Sequence, residues 1–405
     1  MGAKKNRLWY TRPVKRSLLS KALPAAGLIL ALGLILLAVL RLLAAGGSGG
    51  ARAFPPPENR AEAGVRALAV YTHGEALHLG LADGEGREFL AKSLRLESLD
   101  QSRIFDIAYG EGLNRGLFLP DIPPGSYRLF YQGRAMLAGE TPLTEGYTLT
   151  RNGANQHWRF LNSRGRLQLE VAQVDELPPS VYDVYIDIGH GGRDSGAVGN
   201  GLVEAEQNLK AGLYLAQLLE GLGLKVYLSR ETMAIPGGEA AEQNPYSPGA
   251  RVDMLYRSQA KYLISNHLNA GGGHGFQLYT SVATDKSFAQ AVAAQLLAAG
   301  WIADEEGFGP LGNGLYKRRS EVYSQALRDY YFIIRETGGY LLSPWQYRLQ
   351  NREQNRLIYQ GAEALLVEYA FLDNAEDTAY WQENWQALVE AVAQGAADYW
   401  RLAGE

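Results

Sequence analysis

The stretch 184–209, VYIDIGHGGRDSGAVGNGLVEAEQNL, constrains what this chain can fold into more than any other. Val184, Ile186 and Ile188 recur at the period-two spacing of a strand. Six glycines follow between 189 and 201, and a helix is expected to open near Glu204. His190 stands in the loop and Glu204 at the helix start, too far apart for one helix face. The loop must fold back to bring them together, and its glycines supply the φ freedom to do so. A glycine-rich strand-to-helix loop can also cradle phosphate. That rival needs GxGxxG or GxxxxGK[ST], and the stretch holds neither.

The chain beyond this stretch keeps alternating strand and helix. Leu209, Leu213, Ala216 and Leu219 repeat at helical spacing and stop at Gly221 and Gly223, after which KVYLSR reads as the next strand. Further strands are expected at 262–266, 276–280, 331–334 and 364–368, and helices at 288–299 and 385–402. This pattern predicts an α/β domain over 182–405, a mostly parallel sheet with helices on both faces.

On that scaffold His190 follows the first strand, His267 follows YLISN, and Glu368 closes ALLVE. All three fall at or just past carboxyl ends of strands, the edge where open α/β sheets bind ligands. The chain has no cysteine, so any metal must be held by His, Asp or Glu. Glu204, returned by the loop, can join His190 and His267 in a His-Glu-His set with a fourth position open to water. That is the donor pattern of a catalytic zinc site. Glu368 is left without a ligand duty, free to take a proton from water and pass it to a leaving nitrogen. Amide hydrolysis suits this set.

Other residues carry weaker readings. A lone histidine after a strand is most often structural, but two with two glutamates in this context favour a metal. Glu206 is a lesser ligand candidate. Asp187 and Asp194 either orient ligand side chains or fix loop turns. His274 reads as a loop residue, and Arg335 either meets a substrate carboxylate or ends a solvated strand. His73, His78 and His157 have no partner at ligand spacing and read as surface or strand histidines.

The N-terminal part has a different character. Residues 22–40 are uncharged and apolar, long enough to cross a bilayer at about 20 residues per span. Lys4, Lys5, Arg7, Arg12, Lys15, Arg16 and Lys21 precede them with no acid. A cytoplasmic basic segment (1–21) and a single-pass membrane anchor (22–43) are therefore expected, with the rest extracytoplasmic. A cleaved signal peptide is the rival; the apolar run exceeds the usual h-region of roughly 7–15 residues, and no clean A-x-A site follows. Beyond residue 21 the chain has 32 basic and 43 acidic residues, a net charge of −11, which argues against a nucleic-acid partner. Residues 44–60 read as a flexible, then proline-stiffened linker. Over 61–175, short alternating runs punctuated by Asp-Gly, Pro-Pro-Gly and Asn-Gly predict a small all-β sandwich domain, a possible docking site for a protein partner. Its LPDIPPGSYRLFYQG segment resembles the end of immunoglobulin-like or prealbumin-like sandwiches.

GHGGRDSGAVGNGLVEAEQNL, SNHLNA and LLVEYAFLDNAED resemble, in order and spacing, the three signature segments of the zinc-dependent N-acetylmuramoyl-L-alanine amidases of the Amidase_3 type. The resemblance spans about 182–400. It implies that His190, Glu204 and His267 bind Zn²⁺ and that Glu368 is catalytic. It also implies a reaction: hydrolysis of the amide between N-acetylmuramic acid and the L-alanine of the stem peptide in peptidoglycan. Some positions depart from the family pattern. Ala205 and Glu206 replace the usual Lys and Asp, Asn266 and Leu268 flank the second histidine in place of Ile and Ala, and Tyr369-Ala370 precede Phe371. No ligand position is lost. Residues 338–361 form an unusually long, aromatic-rich connection before the strand of Glu368, and a place at the mouth of the cleft, as a wall or a lid, is expected for it.

Three functions compete on these residues: a membrane-anchored zinc amidase acting on peptidoglycan, an inactive cell-wall-binding or scaffolding protein, and a zinc peptidase acting on protein. The complete ligand set and the spare carboxylate favour the amidase.

Overall fold

The structure is a computed structural model. It describes residues 65–402 apart from 84, 140–144, 152, 239–246, 308–309, 323–325 and 343–359. The expected basic segment, membrane anchor and linker lie outside the described residues. Among the described residues no helix is long and apolar enough to cross a membrane.

The first part of the described chain is all β. One sheet joins β1 (Arg66–His73), β2 (Ala76–Ala82) and β3 (Glu88–Leu90). A second begins with β4 (Ser93–Ser98) and β5 (Ile104–Ala108), while β6 (Leu117–Phe118) returns to pair with β2. It continues through β7 (Gly125–Tyr131), β8 (Arg134–Ala135), β9 (Glu145–Tyr147), β10 (Asn155–Ser163) and β11 (Arg166–Val174), in the order β5-β4-β7-β11-β10-β9 with β8 beside β7. The period-two pattern decides which side chains turn inward: in β4 Leu94 and Leu96 are buried between exposed Ser93 and Arg95. Leu79 from the first sheet and Leu96, Leu129, Trp158 and Leu169 from the second share one core.

The α/β part holds a six-stranded sheet. Its strands are β12 (Val184–Ile188), β15 (Val226–Leu228), β16 (Tyr262–Asn269), β17 (Gln277–Thr280), β18 (Leu315–Tyr316) and β22 (Glu363–Phe371), ordered β15-β12-β16-β22-β17-β18. Between them β13 (Val198–Gly199) and β14 (Leu202–Val203) make a small hairpin, β19 (Arg319–Val322) and β20 (Ala326–Asp329) another, and β21 (Gln360–Gly361) leaves this part to pair with β1. The run β15-β12-β16-β22 is parallel, as expected, but β17 lies antiparallel to β22, so the sheet is mixed.

Both faces are covered, unequally. Val184, Ile186 and Ile188 of β12 face a core filled by α1 (Glu204–Gly221), α3 (Ser287–Ala298) and α6 (Ala375–Trp400). Tyr185, between them, points the other way, against α2 (Arg251–Ser258) and α4 (Phe332–Thr337). A strand buried on both sides reads as a continuous apolar run, which is how VYIDI and EALLVEYAF are composed.

Two expectations are corrected here. Residues 331–334 are not a strand: Phe332–Thr337 is α4, with Ile333, Ile334 and Thr337 buried. A short apolar run cannot distinguish a strand from a buried helix turn by period. The last helix starts at Ala375, ten residues earlier than expected, because the Asn374 side chain caps it by accepting from the N–H groups of Glu376 and Asp377. Most of the long connection, residues 343–359, lies outside the described residues, and with it the expected place at the cleft mouth. Its two ends, α5 (Gly339–Leu342) and β21, meet at the amino end of β22, where Ala362 N donates to Thr337 O at 3.0 Å. Glu368 lies toward the other end of that strand.

The β part and the α/β part form one compact unit. The β1–β2 turn is driven into the amino edge of the large sheet. Gly74 N donates to Gly361 O at 2.7 Å, and the buried Glu75 carboxylate accepts from Leu149 N (2.6 Å), Tyr262 Oη (3.0 Å) and Arg151 Nη1 (2.9 Å). Beside it Asn114 donates to Asp285 at 2.6 Å, and Arg115 pairs with the same carboxylate.

Candidate metal centre

The carboxyl edge of the sheet gathers the residues singled out in the sequence. β12 ends at Ile188 and the chain turns through Gly189 into His190, whose φ is +61°. The loop then doubles back through the β13–β14 hairpin and delivers Glu204 as the first residue of α1. His190 Nε2 and His267 Nδ1 both lie 3.0 Å from Glu204 Oε1. The ligand atoms of His190, Glu204 and His267 fall within 4.8 Å of one another, the one such group among the described residues.

Two glycines make this approach possible. A Cβ on Gly189 would lie 2.2 Å from the His267 ring. One on Gly196, where φ is +64°, would lie 2.4 Å from Glu204 Oε2.

Each group of the cluster is oriented from outside. His190 Nδ1 meets Asp194 Oδ2 at 2.7 Å, so Asp194 orients the ring, and it also accepts from Gly196 N at 3.1 Å. Glu204 Oε2 accepts from Ala197 N at 2.7 Å, while Asn208, one turn along α1, donates to Glu204 Oε1 and Gly189 O at 3.3 and 3.2 Å. Burial lowers the His190 pKa, but the bonds to Asp194 and Glu204 outweigh it and raise it to about 9. Burial pushes Glu204 upward, yet the two imidazoles prevail and hold it well below the ordinary carboxylate range. The negative charge gathered here draws protons onto nitrogen, and a cation answers the same demand.

Glu368 completes the group. It is the register partner of His267 on the adjacent parallel strand, buried, with Oε2 lacking a hydrogen-bond partner. Burial and the charge of Glu204 push its pKa well above the ordinary value. Two imidazoles and a carboxylate fit a zinc ion with one position left open, and the orphaned oxygen beside them fits a group that handles a proton. A groove of about 280 Å³ is lined by Asn269 and Phe371, on the strands that carry His267 and Glu368, and by Gly273, Gln277, Tyr279 and Arg318 among others.

The remaining candidates separate. Asp187 does not face the cluster: it accepts from Arg251 at 3.0 Å and from Ser265 Oγ at 2.6 Å. Glu206 is exposed and outside the cluster. His274 pairs with Asp377 and pins the glycine loop to α6. Arg335 lies in α4, not at a strand end, and is spent on Glu336 (2.6 Å) and Asp329 O (2.8 Å), so the substrate-carboxylate reading is corrected. His73 and His78 are buried strand residues, and His157 meets Glu145 at 3.2 Å. The sequence reading missed Asn208 and Arg230. Asn208 was open to discovery as the i+4 neighbour of Glu204 on one helix face.

A sheet edge carrying a His-Glu-His group with a spare buried carboxylate has the donor pattern of a hydrolase of the α/β type. Residues 184–398, more than half of the chain, match the family model Amidase_3, N-acetylmuramoyl-L-alanine amidase, and the chain belongs to that family. It is 37% identical over 98 residues to N-acetylmuramoyl-L-alanine amidase CwlM of Bacillus licheniformis, covering 24% of this chain and 35% of the relative. It is 36% identical over 98 residues to the sporulation-specific N-acetylmuramoyl-L-alanine amidase of Bacillus subtilis (strain 168), covering 24% and 34%. The chain thus spans about a third of the length of these curated relatives. Among solved structures it is similar to N-acetylmuramoyl-L-alanine amidase AmiC2 of Nostoc punctiforme, with 22% identity, 54% of this chain and 97% of the other covered, and a TM-score of 0.38. For the catalytic domain of CwlV from Bacillus (Paenibacillus) polymyxa var. colistinus the values are 23%, 55%, 99% and 0.39.

Proposed function

We propose that this chain is a zinc-dependent N-acetylmuramoyl-L-alanine amidase, with His190, Glu204 and His267 as metal ligands and Glu368 as general base and acid. The observation that carries the reading is the pairing of the three-residue cluster with the buried carboxylate of Glu368, whose Oε2 has no hydrogen-bond partner. Zinc at this site supplies polarisation of the scissile carbonyl and acidification of a water, toward a pKa of about 7.

The protein residues do the rest. Asp194 and Asn208 keep His190 and Glu204 aimed inward. Glu368 takes a proton as the water's oxygen bonds to the carbonyl carbon, then gives it to the departing nitrogen as the C–N bond breaks. The products are the lactyl carboxylate of N-acetylmuramic acid and the free amine of L-alanine. A pKa raised by burial suits the first step, since it makes the carboxylate a stronger base toward the water. The groove lined by Asn269 and Phe371, on the strands that carry His267 and Glu368, is where we place the substrate strand.

Incubating the chain with purified sacculi and, separately, casein, with and without chelator, tests this. Expected is chelator-sensitive release of stem peptides with free L-alanine amino termini, identified by mass spectrometry. Cleavage of casein instead points to a peptidase, and zinc binding without any cleavage to a wall-binding protein.

We further infer a cytoplasmic N-terminus, a single-pass anchor at 22–43, and an extracytoplasmic β-sandwich and amidase, supported by the basic flank and the apolar run. A reporter fused after residue 51 is expected outside the membrane; a new N-terminus near residue 46 in the medium overturns the anchor.

A further inference from the structure

Arg230 follows β15 at the carboxyl edge of the sheet and is buried at 5% exposure. Its hydrogen bonds run to main-chain carbonyls and the Met233 sulfur: Nη2 donates to Gly189 O at 2.9 Å and Ala205 O at 2.7 Å, Nη1 to Thr232 O at 2.9 Å, and Nε to Ile188 O at 3.3 Å. Gly189 immediately precedes His190, and Ala205 immediately follows Glu204. We infer that Arg230 is a positioning residue for the metal centre, tying the chain beside His190 to the chain beside Glu204 and so setting their separation; this rests on the reading that the cluster binds zinc.

The base of the side chain is itself fixed to the sheet. Ser229 N donates to Ile186 O at 3.0 Å, and Ser229 Oγ accepts from Ile188 N at 2.8 Å, which sets Arg230 beside the end of β12. The loop it clamps has little stiffness of its own, since Gly191, Gly192 and Gly196 all sit at positive φ. Nor does α1 locate itself: its N-cap, Val203, makes no side-chain capping bond. A planar guanidinium with several donors can bridge two chain segments at once. A lysine presents one compact charge and cannot span them in the same way.

The test is zinc affinity of the full-length chain, read by competition with a chromogenic chelator, for the unaltered protein and Arg230→Lys. The variant keeps the charge and loses the span. Expected is a fall in affinity of about 10- to 100-fold, the scale of losing a group that orients metal ligands. Arg251→Lys serves as a control, because Arg251 pairs with Asp187 away from the cluster, and is expected to leave zinc affinity unchanged. Unchanged affinity in folded Arg230→Lys, or an equal loss in Arg251→Lys, overturns the inference. Should Arg230→Lys not fold, Arg230→Ala titrated with guanidinium ion decides: affinity that recovers with guanidinium supports the clamp, and affinity that does not respond overturns it. If the unaltered chain takes up no zinc, the zinc reading fails instead, before the variants are compared.

Discussion

His267 and Glu368 are register partners on the adjacent parallel strands β16 and β22. Neighbouring strands lie about 4.8 Å apart, and partners in register project from the same side of the sheet. The proposed ligand and the proposed base are therefore held together by main-chain hydrogen bonding and not by side-chain choice. The two roles are separable by mutation. Glu368→Gln keeps the shape and removes the proton acceptor, so turnover on sacculi is expected to fall by about 10²-fold or more while zinc content stays at the unaltered level. Metal analysis beside a turnover assay checks this, and near-normal turnover removes Glu368 from the mechanism.

The approach of His267 to the His190 loop depends on a missing side chain. Gly189→Ala puts a methyl 2.2 Å from the His267 ring, and the ring is boxed in by Glu204 at 3.0 Å. Relief requires moving a proposed ligand. We expect a loss of stability of about 1–3 kcal/mol, the usual cost of overpacking, together with reduced zinc content. Calorimetry and metal analysis of the variant give both readings; full zinc content shows that the ring shifts without harm.

Much of this site was legible because strand ends are legible. VYIDIGH, YLISNH and ALLVE each show a buried strand running into an ionisable residue, and the sheet brings such ends to one edge. Arg230 was not legible, since its partners are main-chain carbonyls, which leave no trace in a side-chain pattern. The helix at Phe332–Thr337 hid for a related reason: YFII has the apolar β-branched content of a strand, and its packing against Tyr185 and Leu366 decided otherwise. Glu75 sits in a hairpin turn, where a glutamate reads as solvated. Only the pairing of β1 with β21, distant in sequence, shows that the turn is buried.

That buried turn couples the β part to the α/β part. Arg151, in the β part like Glu75, is the cation that answers it, and its Nε reaches across the junction to donate to Trp400 O at 2.8 Å. Arg151→Met leaves Glu75 buried with its charge unpaired, and breaking a buried pair from one side costs about 3–5 kcal/mol. Urea denaturation of the full chain is expected to show a loss of that size. By the same argument, residues 178–405 expressed alone should fail to give a cooperative unfolding transition; a stable fragment shows that the junction is dispensable.

Another carboxylate at this junction, Glu363, makes stability depend on pH. Glu363, buried where β22 begins, is pushed up to about 8 from 4.5, chiefly by burial and also by the charges of Asp285 and Glu75, against hydrogen bonds from Tyr399 and Asn114. The folded state therefore holds this proton at pH values where the unfolded chain has released it. Stability from this group is fully present below about pH 4.5 and is lost as pH rises toward about 8. Glu363→Gln retains an acceptor for Tyr399 or Asn114 and cannot ionise. Denaturation of both proteins at pH 5 and pH 8 is expected to show that the variant's stability relative to the unaltered chain is greater at pH 8 than at pH 5. Equal differences at the two pH values would mean that Glu363 ionises normally in the folded protein, its charge carried by Asn114 and Tyr399.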